Sequence, residues 1–226
     1  MGEMVEFPSN GRTARGYLGV PARGTGIPLV VIQEWWGLVP HITDVVDRFA
    51  DEGFVALAPD LYHGEATTEP DEAGKLMMTM NIDQAAKDMS GAVDKVAEVA
   101  GSDRVGVTGF CMGGGLALVL ATRRPDKVKA VVPWYGLIPW PDAAPDWSAL
   151  DAKVLGHYAE NDGSFGPAKV AEFQQTLDEL GKEANLHVVP GADHAFFNDT
   201  RPEVHDAEAS RACWSETVTF LRNELG

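Results

Sequence analysis

What most constrains this chain is an alternation. Short apolar runs recur along it: VEFP (5–8), ARGYLGVP (14–21), PLVVIQE (28–34), FVALAPD (54–60), RVGVTG (104–109), VKAVVPWY (128–135), KVLGHYAE (153–160) and NLHVVPG (185–191). Most lack a strict polar–apolar rhythm, which marks strands covered on both faces, as in a parallel sheet. Between them stand segments with apolar residues at helical spacing: 42–52, 82–99, 112–124, 167–181 and 203–225. In 42–52, Val45, Val46 and Phe49 share a face, and Gly53 follows as a C-cap. Strand and helix taking turns predicts a doubly wound α/β fold, a mostly parallel central sheet with helices on both faces. The first two runs flank SNGRT, whose Asn-Gly pair signals a hairpin. Residues 61–81 are the least regular and read as a cap or rim over the sheet edge. No repeat or linker divides the sequence, so residues 1–226 read as a single domain.

Charge and composition narrow the partners. The chain carries 18 Lys+Arg against 34 Asp+Glu, a formal net charge of −16. Phosphate backbones need clustered Lys and Arg, so nucleic acid is excluded as a partner. Anionic membrane surfaces would repel the chain as well. The N-terminus shows no basic region followed by an apolar stretch, so no export signal is expected. A cytoplasmic location is then the expectation, with Cys111 and Cys213 as free thiols.

Cys111 has an unusual frame, Gly109-Phe110-Cys111-Met112-Gly113, just beyond an expected strand and before an expected helix. This is the G-x-nucleophile-x-G elbow with cysteine at its centre. The nucleophile in such a turn is strained, and glycines let the backbones approach. A following helix would point its N-terminus at the sulfur and favour thiolate. Two blander readings compete: an ordinary buried cysteine, or a Gly-rich phosphate turn. The stretch does not fit G-x-G-x-x-G and lacks a P-loop lysine.

Two residues downstream favour the nucleophile. Asp162 follows the expected strand 153–160, and His194 follows 185–191. Nucleophile, acid and histidine then occur in the order an elbow fold uses. Asp162 would orient the imidazole, and His194 would take the thiol proton and later activate water. Asp193 is the rival acid, but adjacent loop residues rarely turn toward each other. Glu34 sits at the end of an apolar strand, where a carboxylate is costly unless partnered. The loop after this strand supplies an oxyanion-hole N–H in folds of this shape, which points to Trp35, with Met112 as the second donor. Trp36, Tyr62, Tyr135 and Phe197 are candidate substrate-binding residues. With Trp134 and Trp140 they form an aromatic set, some of it ordinary core.

Taken together, QEWWG, PDLYHG, GFCMGGG, the Asp162 strand end and DHAFFN resemble the dienelactone hydrolase family of α/β-hydrolases, over roughly residues 5–225. The resemblance implies a Cys–His–Asp triad at Cys111, His194 and Asp162. It implies that Glu34 takes the thiol proton when substrate binds, from a cysteine that rests largely neutral. It further implies cleavage of a small ester or lactone through a thioester, like a carboxymethylenebutenolidase. Family members hold a substrate carboxylate with arginines. Here Phe196-Phe197-Asn198 follows the histidine, and residues 61–103 contain Lys75, Lys87 and Lys95 but no arginine. Arg201 is near His194 but out of the family position. The expected substrate is therefore a more apolar ester or lactone than dienelactone. Alternatives are a thioesterase, another α/β-hydrolase activity, or a non-catalytic small-molecule binding module. No H-x-x-H, H-E-x-x-H or C-x-x-C spacing appears, and His63, His187 and His205 show no partner in the sequence, so no metal and no cofactor is expected. The expected assembly is a monomer or weak homodimer.

Overall fold

The computed structural model describes residues 1–138 and 145–226; Trp140 lies outside the described residues. By its internal contacts the chain divides into two compact units, Met1–Val107 and Thr108–Gly226.

The first unit begins with β1 (Glu3–Ser9) and β2 (Arg12–Gly19), joined by Asn10 and Gly11, both at positive φ. Two such residues give the primed turn that matches strand twist, and Ser9 pairs with Arg12 across it. β3 (Ile27–Ile32) and β4 (Phe54–Pro59) complete the order β1-β2-β4-β3. β4 runs antiparallel to β2 and parallel to β3. Between the last two runs α1 (Pro40–Asp51), where Ile42, Val45, Val46 and Phe49 are fully buried. Each such side chain contributes about 1.5–3 kcal/mol on leaving water. α3 (Ile82–Ala100) is capped by Asn81, which accepts from the Gln84 N–H at 3.0 Å, and closes at Gly101 in the left-handed region. Residues 61–81, expected to be irregular, contain a helix, α2 (Pro70–Thr79). Pro70 opens it, and Asp71 and Glu72 complement the dipole of its first turn.

The division falls within β5 (Val105–Phe110). The second unit continues with α4 (Met112–Arg123), β6 (Val128–Trp134), a 3-10 turn at Trp147–Ala149, β7 (Lys153–Ala159), α5 (Pro167–Glu179), β8 (Ala184–Val189) and α6 (Ala207–Leu225). β6, β7 and β8 are parallel neighbours, and α4, α5 and α6 pack against them. α4 is buried along nearly its whole length, as its all-round apolar sequence requires. α6 starts four residues later than the apolar pattern suggests. Asp206 stops it there by accepting the Glu208 and Ala209 N–H groups at 3.0 Å. Burial, with His187 beyond, pushes the His157 imidazole on β7 down to about 3, so it is neutral.

The described residues thus give eight strands, mostly parallel, alternating with helices: an α/β fold. No helix among them is long and apolar enough to cross a membrane.

Candidate active site

β5 ends at Phe110, and α4 begins at Met112. Cys111 alone makes the turn, with φ 54° and ψ −119°. A non-glycine residue there costs about 1–3 kcal/mol and persists only where its surroundings hold it. Here the Cys111 N–H donates to the Trp134 carbonyl at 3.0 Å, and its own carbonyl accepts from Gly114 at 2.9 Å. Two glycines leave the room. A Cβ at Gly109 would collide with the Gly113 carbonyl, and one at Gly136 with the Cys111 carbonyl. Gly109 was expected in this role; Gly136, which follows β6, carries no motif that marks it. The thiol is partly exposed at the N-terminus of α4, where the dipole favours negative charge. Met112 is the first residue of α4.

The acid and the histidine leave neighbouring strands at the same end. Asp162 follows β7 and His194 follows β8, and the two loops are laced together. Glu160 N–H donates to the Val189 carbonyl at 3.2 Å, and Asn161 N–H to the Ala192 carbonyl at 3.0 Å. The Glu160 carboxylate accepts from Gly191 N–H at 2.7 Å. Ala195 at φ 67° turns the chain directly after His194. The result is a 2.6 Å contact between His194 Nδ1 and Asp162 Oδ2. The other Asp162 oxygen accepts backbone N–H groups of Ser164 and Phe165 at 2.7 and 2.9 Å. Asp193 is exposed.

Burial works against charge on both partners, and pairing wins. Burial would raise the Asp162 carboxyl, but the hydrogen bond and charge of His194 and the two N–H groups hold it below its usual range. Burial would likewise lower His194. Its hydrogen bonds to Asp162 and to the Cys111 side chain, together with their negative charge, push the imidazole up to about 10 instead. With Nδ1 engaged by Asp162, Nε2 is the nitrogen left for the sulfur. The Tyr135 ring stands edge-on to His194, centroids 5.2 Å apart. Phe197 is buried, stacked on Phe110 and Trp214 and tilted against Trp134, and so anchors the histidine loop rather than lying open.

The remaining candidates lie in the first unit. Glu34 is 1% exposed, which rules out a simple surface carboxylate. Its loop is tied to the segment after β4. The Gln33 side chain accepts from Leu61 N–H at 3.2 Å, Trp36 carbonyl accepts from Thr67 at 3.0 Å, and Gly37 bridges to Ala66. Trp35 and Trp36 are half-buried, their rings edge-to-face at 4.9 Å, and Tyr62 is buried.

The profile of the dienelactone hydrolase family matches residues 14–225. The chain belongs to that family. A relative from Aquifex aeolicus, provisionally named a carboxymethylenebutenolidase, is 35% identical over 100% of both chains. A Klebsiella pneumoniae structure, provisionally described as a dienelactone hydrolase, is 29% identical, with a TM-score of 0.88 over 98% of each chain. The dienelactone hydrolase of Anabaena variabilis, 24% identical over 100% of this chain and 99% of that one, has a TM-score of 0.72 and shares the α/β-hydrolase fold. This family member is thus an enzyme of the dienelactone hydrolase type. Two of its cations raised as possible anchors for a substrate carboxylate are engaged elsewhere. Arg201 binds Glu203 at 2.9 Å, and Lys75 binds Glu72 at 2.6 Å.

Proposed function

We propose that this enzyme cleaves a small, neutral ester or lactone by way of a thioester on Cys111. The observation that carries the reading is the short Asp162–His194 pair whose imidazole also hydrogen-bonds a cysteine held in a strained elbow. The sulfur attacks the carbonyl carbon. The resulting oxyanion takes the backbone N–H groups of Met112 and Trp35. On collapse the C–O bond breaks, and His194, protonated at rest, gives its proton to the leaving alkoxide. The neutral ring then takes a proton from water, whose oxygen attacks the thioester and frees the acid and the thiolate. Asp162 holds the ring in the tautomer that both steps need. Where Cys111 rests as the thiol, Glu34 is assigned to take its proton on substrate binding, because His194 already carries one, and to return it to the thiolate when the acid leaves. Trp36, Tyr62, Tyr135 and Phe197 are assigned to substrate binding.

The test is pre-steady-state hydrolysis of a p-nitrophenyl ester by wild type and Cys111→Ala. A burst of one nitrophenol per chain, with one acyl group found on Cys111 by mass spectrometry, is expected; undiminished turnover by Cys111→Ala overturns the reading. Substrate class is tested with a neutral ester and its carboxylated analogue. A salt-bridged carboxylate would favour the anion about ten- to a hundredfold. We expect a kcat/KM for the neutral ester at least comparable to that of the anion, and such a preference would refute the assignment.

A further inference from the structure

His157, His187 and Glu216 bring three metal-binding atoms within 4.8 Å of one another, apart from the candidate active site. His157 on β7 and His187 on β8 are direct partners in a parallel pair, so their side chains leave the same face of the strands. α6 sets Glu216 against both. Its carboxylate lies 3.2 Å from His187 Nδ1 and 3.9 Å from His157 Nδ1. His157 is fully buried, and its Nε2 stands 3.0 Å from Thr217 Oγ1. With Nε2–H donating to that hydroxyl, Nδ1 carries a lone pair. That atom is buried and has no hydrogen-bond partner among the described residues. An unmatched buried polar atom costs free energy, and natural proteins keep few of them. A histidine whose far nitrogen is fixed by a neighbour while the near one points at a carboxylate is how metal ligands are oriented.

We propose that His157 Nδ1, His187 Nδ1 and Glu216 form a site for a divalent ion of the zinc class, with water completing the coordination. Two imidazoles and a carboxylate suit such an ion. Tetrahedral bonds of about 2.0–2.1 Å place ligand atoms about 3.3 Å apart, so the widest pair closes by at most about 1.5 Å. His187 and Glu216 have the freedom to do so, with side chains 37% and 42% exposed, and they give the ion its entry from solvent. The ion would clamp β7 and β8 to α6. The site stands independently of the thioester reading.

The experiment uses the full chain, stripped with a chelator and with Cys111 capped by iodoacetamide, so that the thiol cannot itself capture metal. Zinc sulfate is titrated by calorimetry, and Tm is followed with and without zinc. One ion per chain and a zinc-dependent rise in Tm are expected. Both should be weakened at least about tenfold in affinity by His187→Gln and by Glu216→Gln, and left unchanged by His63→Gln. The two altered side chains are half-exposed, so both variants are expected to fold, which far-UV circular dichroism checks. No saturable binding by the wild type, or unchanged affinity in both variants, overturns the proposal.

Discussion

Asp162→Asn probes the candidate site at its tightest contact. In the wild type one carboxylate oxygen accepts His194 Nδ1–H at 2.6 Å, and the other accepts two backbone N–H groups. Asn can keep the backbone contacts but turns an NH2 toward Nδ1. Two donors cannot share a bond, so the neutral ring moves its proton to Nε2, where it can no longer accept one from water. The same exchange in a Ser-His-Asp triad costs about ten-thousandfold in kcat, and a large loss is expected here. A hydrogen bond to a charged group contributes about 1.5–3 kcal/mol, or about one to two pH units at about 1.4 kcal/mol each. The His194 midpoint, pushed up to about 10 in the wild type, should fall by that amount. Stability carries a sign as well. A raised histidine pKa stabilises fully below its unfolded value and is lost as pH rises through the folded one. Asp162, held below its usual range, contributes above its own unfolded value. Wild type should therefore exceed the variant by about 1.5–3 kcal/mol near pH 6, the gap narrowing toward pH 10. Nitrogen-15 NMR of labelled imidazoles gives the midpoint, and urea unfolding across pH gives the gap. An unmoved midpoint, or a gap that does not narrow, would refute the argument.

Three other outcomes follow from named contacts. Iodoacetamide should modify Cys111 alone in the native protein. Cys213 is buried, and burial with Glu216 and Asp206 nearby pushes its thiol up to about 12; peptide mapping that finds Cys213 alkylated would contradict this. Gly136→Ala drives a methyl group into the Cys111 carbonyl. It should lower kcat/KM about a hundredfold through a displaced sulfur while circular dichroism stays native, and full activity would show that the elbow can yield. Glu34→Gln keeps the shape of a fully buried side chain and removes its charge. Ester turnover should fall about a hundredfold or more if the carboxylate carries a proton, and unchanged turnover would leave a plain Cys–His–Asp set.

β3 to β7 were legible because buried strands are written as short apolar runs that no polar face interrupts; β1 and β2, an antiparallel pair with one exposed face, were marked by the Asn-Gly turn between them, and half-buried β8 by its apolar run. α2 was not, because only Ala73 of its residues is buried, and an exposed helix leaves no apolar stripe to read. Its signal was Pro70 with two acids behind it, a capping pattern rather than a periodic one. The positions of Cys111, Asp162 and His194 just beyond strands could be read because each follows a short apolar run. Gly136 and the lacing by Glu160 and Asn161 could not, since their roles depend on which distant backbone lies beside them. The same holds for His187. It looked unpartnered in the sequence, and the fold supplies Glu216 from a helix far along the chain.

The spacing between acid and histidine belongs to the sheet rather than to the chain that links them. β7 and β8 are hydrogen-bonded along their length, and the loops beyond them are laced directly to each other. α5 braces β8, with the Gln174 side chain donating to the Ala184 carbonyl and accepting from Leu186 N–H, whereas its exit turn contributes length to this connection rather than position. Gly181, in that turn, is exposed, and a side chain there would meet nothing within 4 Å. New chain termini opened at this point, or a foreign segment spliced in, would leave the pair in register, since closure entropy rises only slowly with loop length. That turn is therefore a place where the protein can be cut, lengthened or fused to a sensor while its acid and histidine stay aligned.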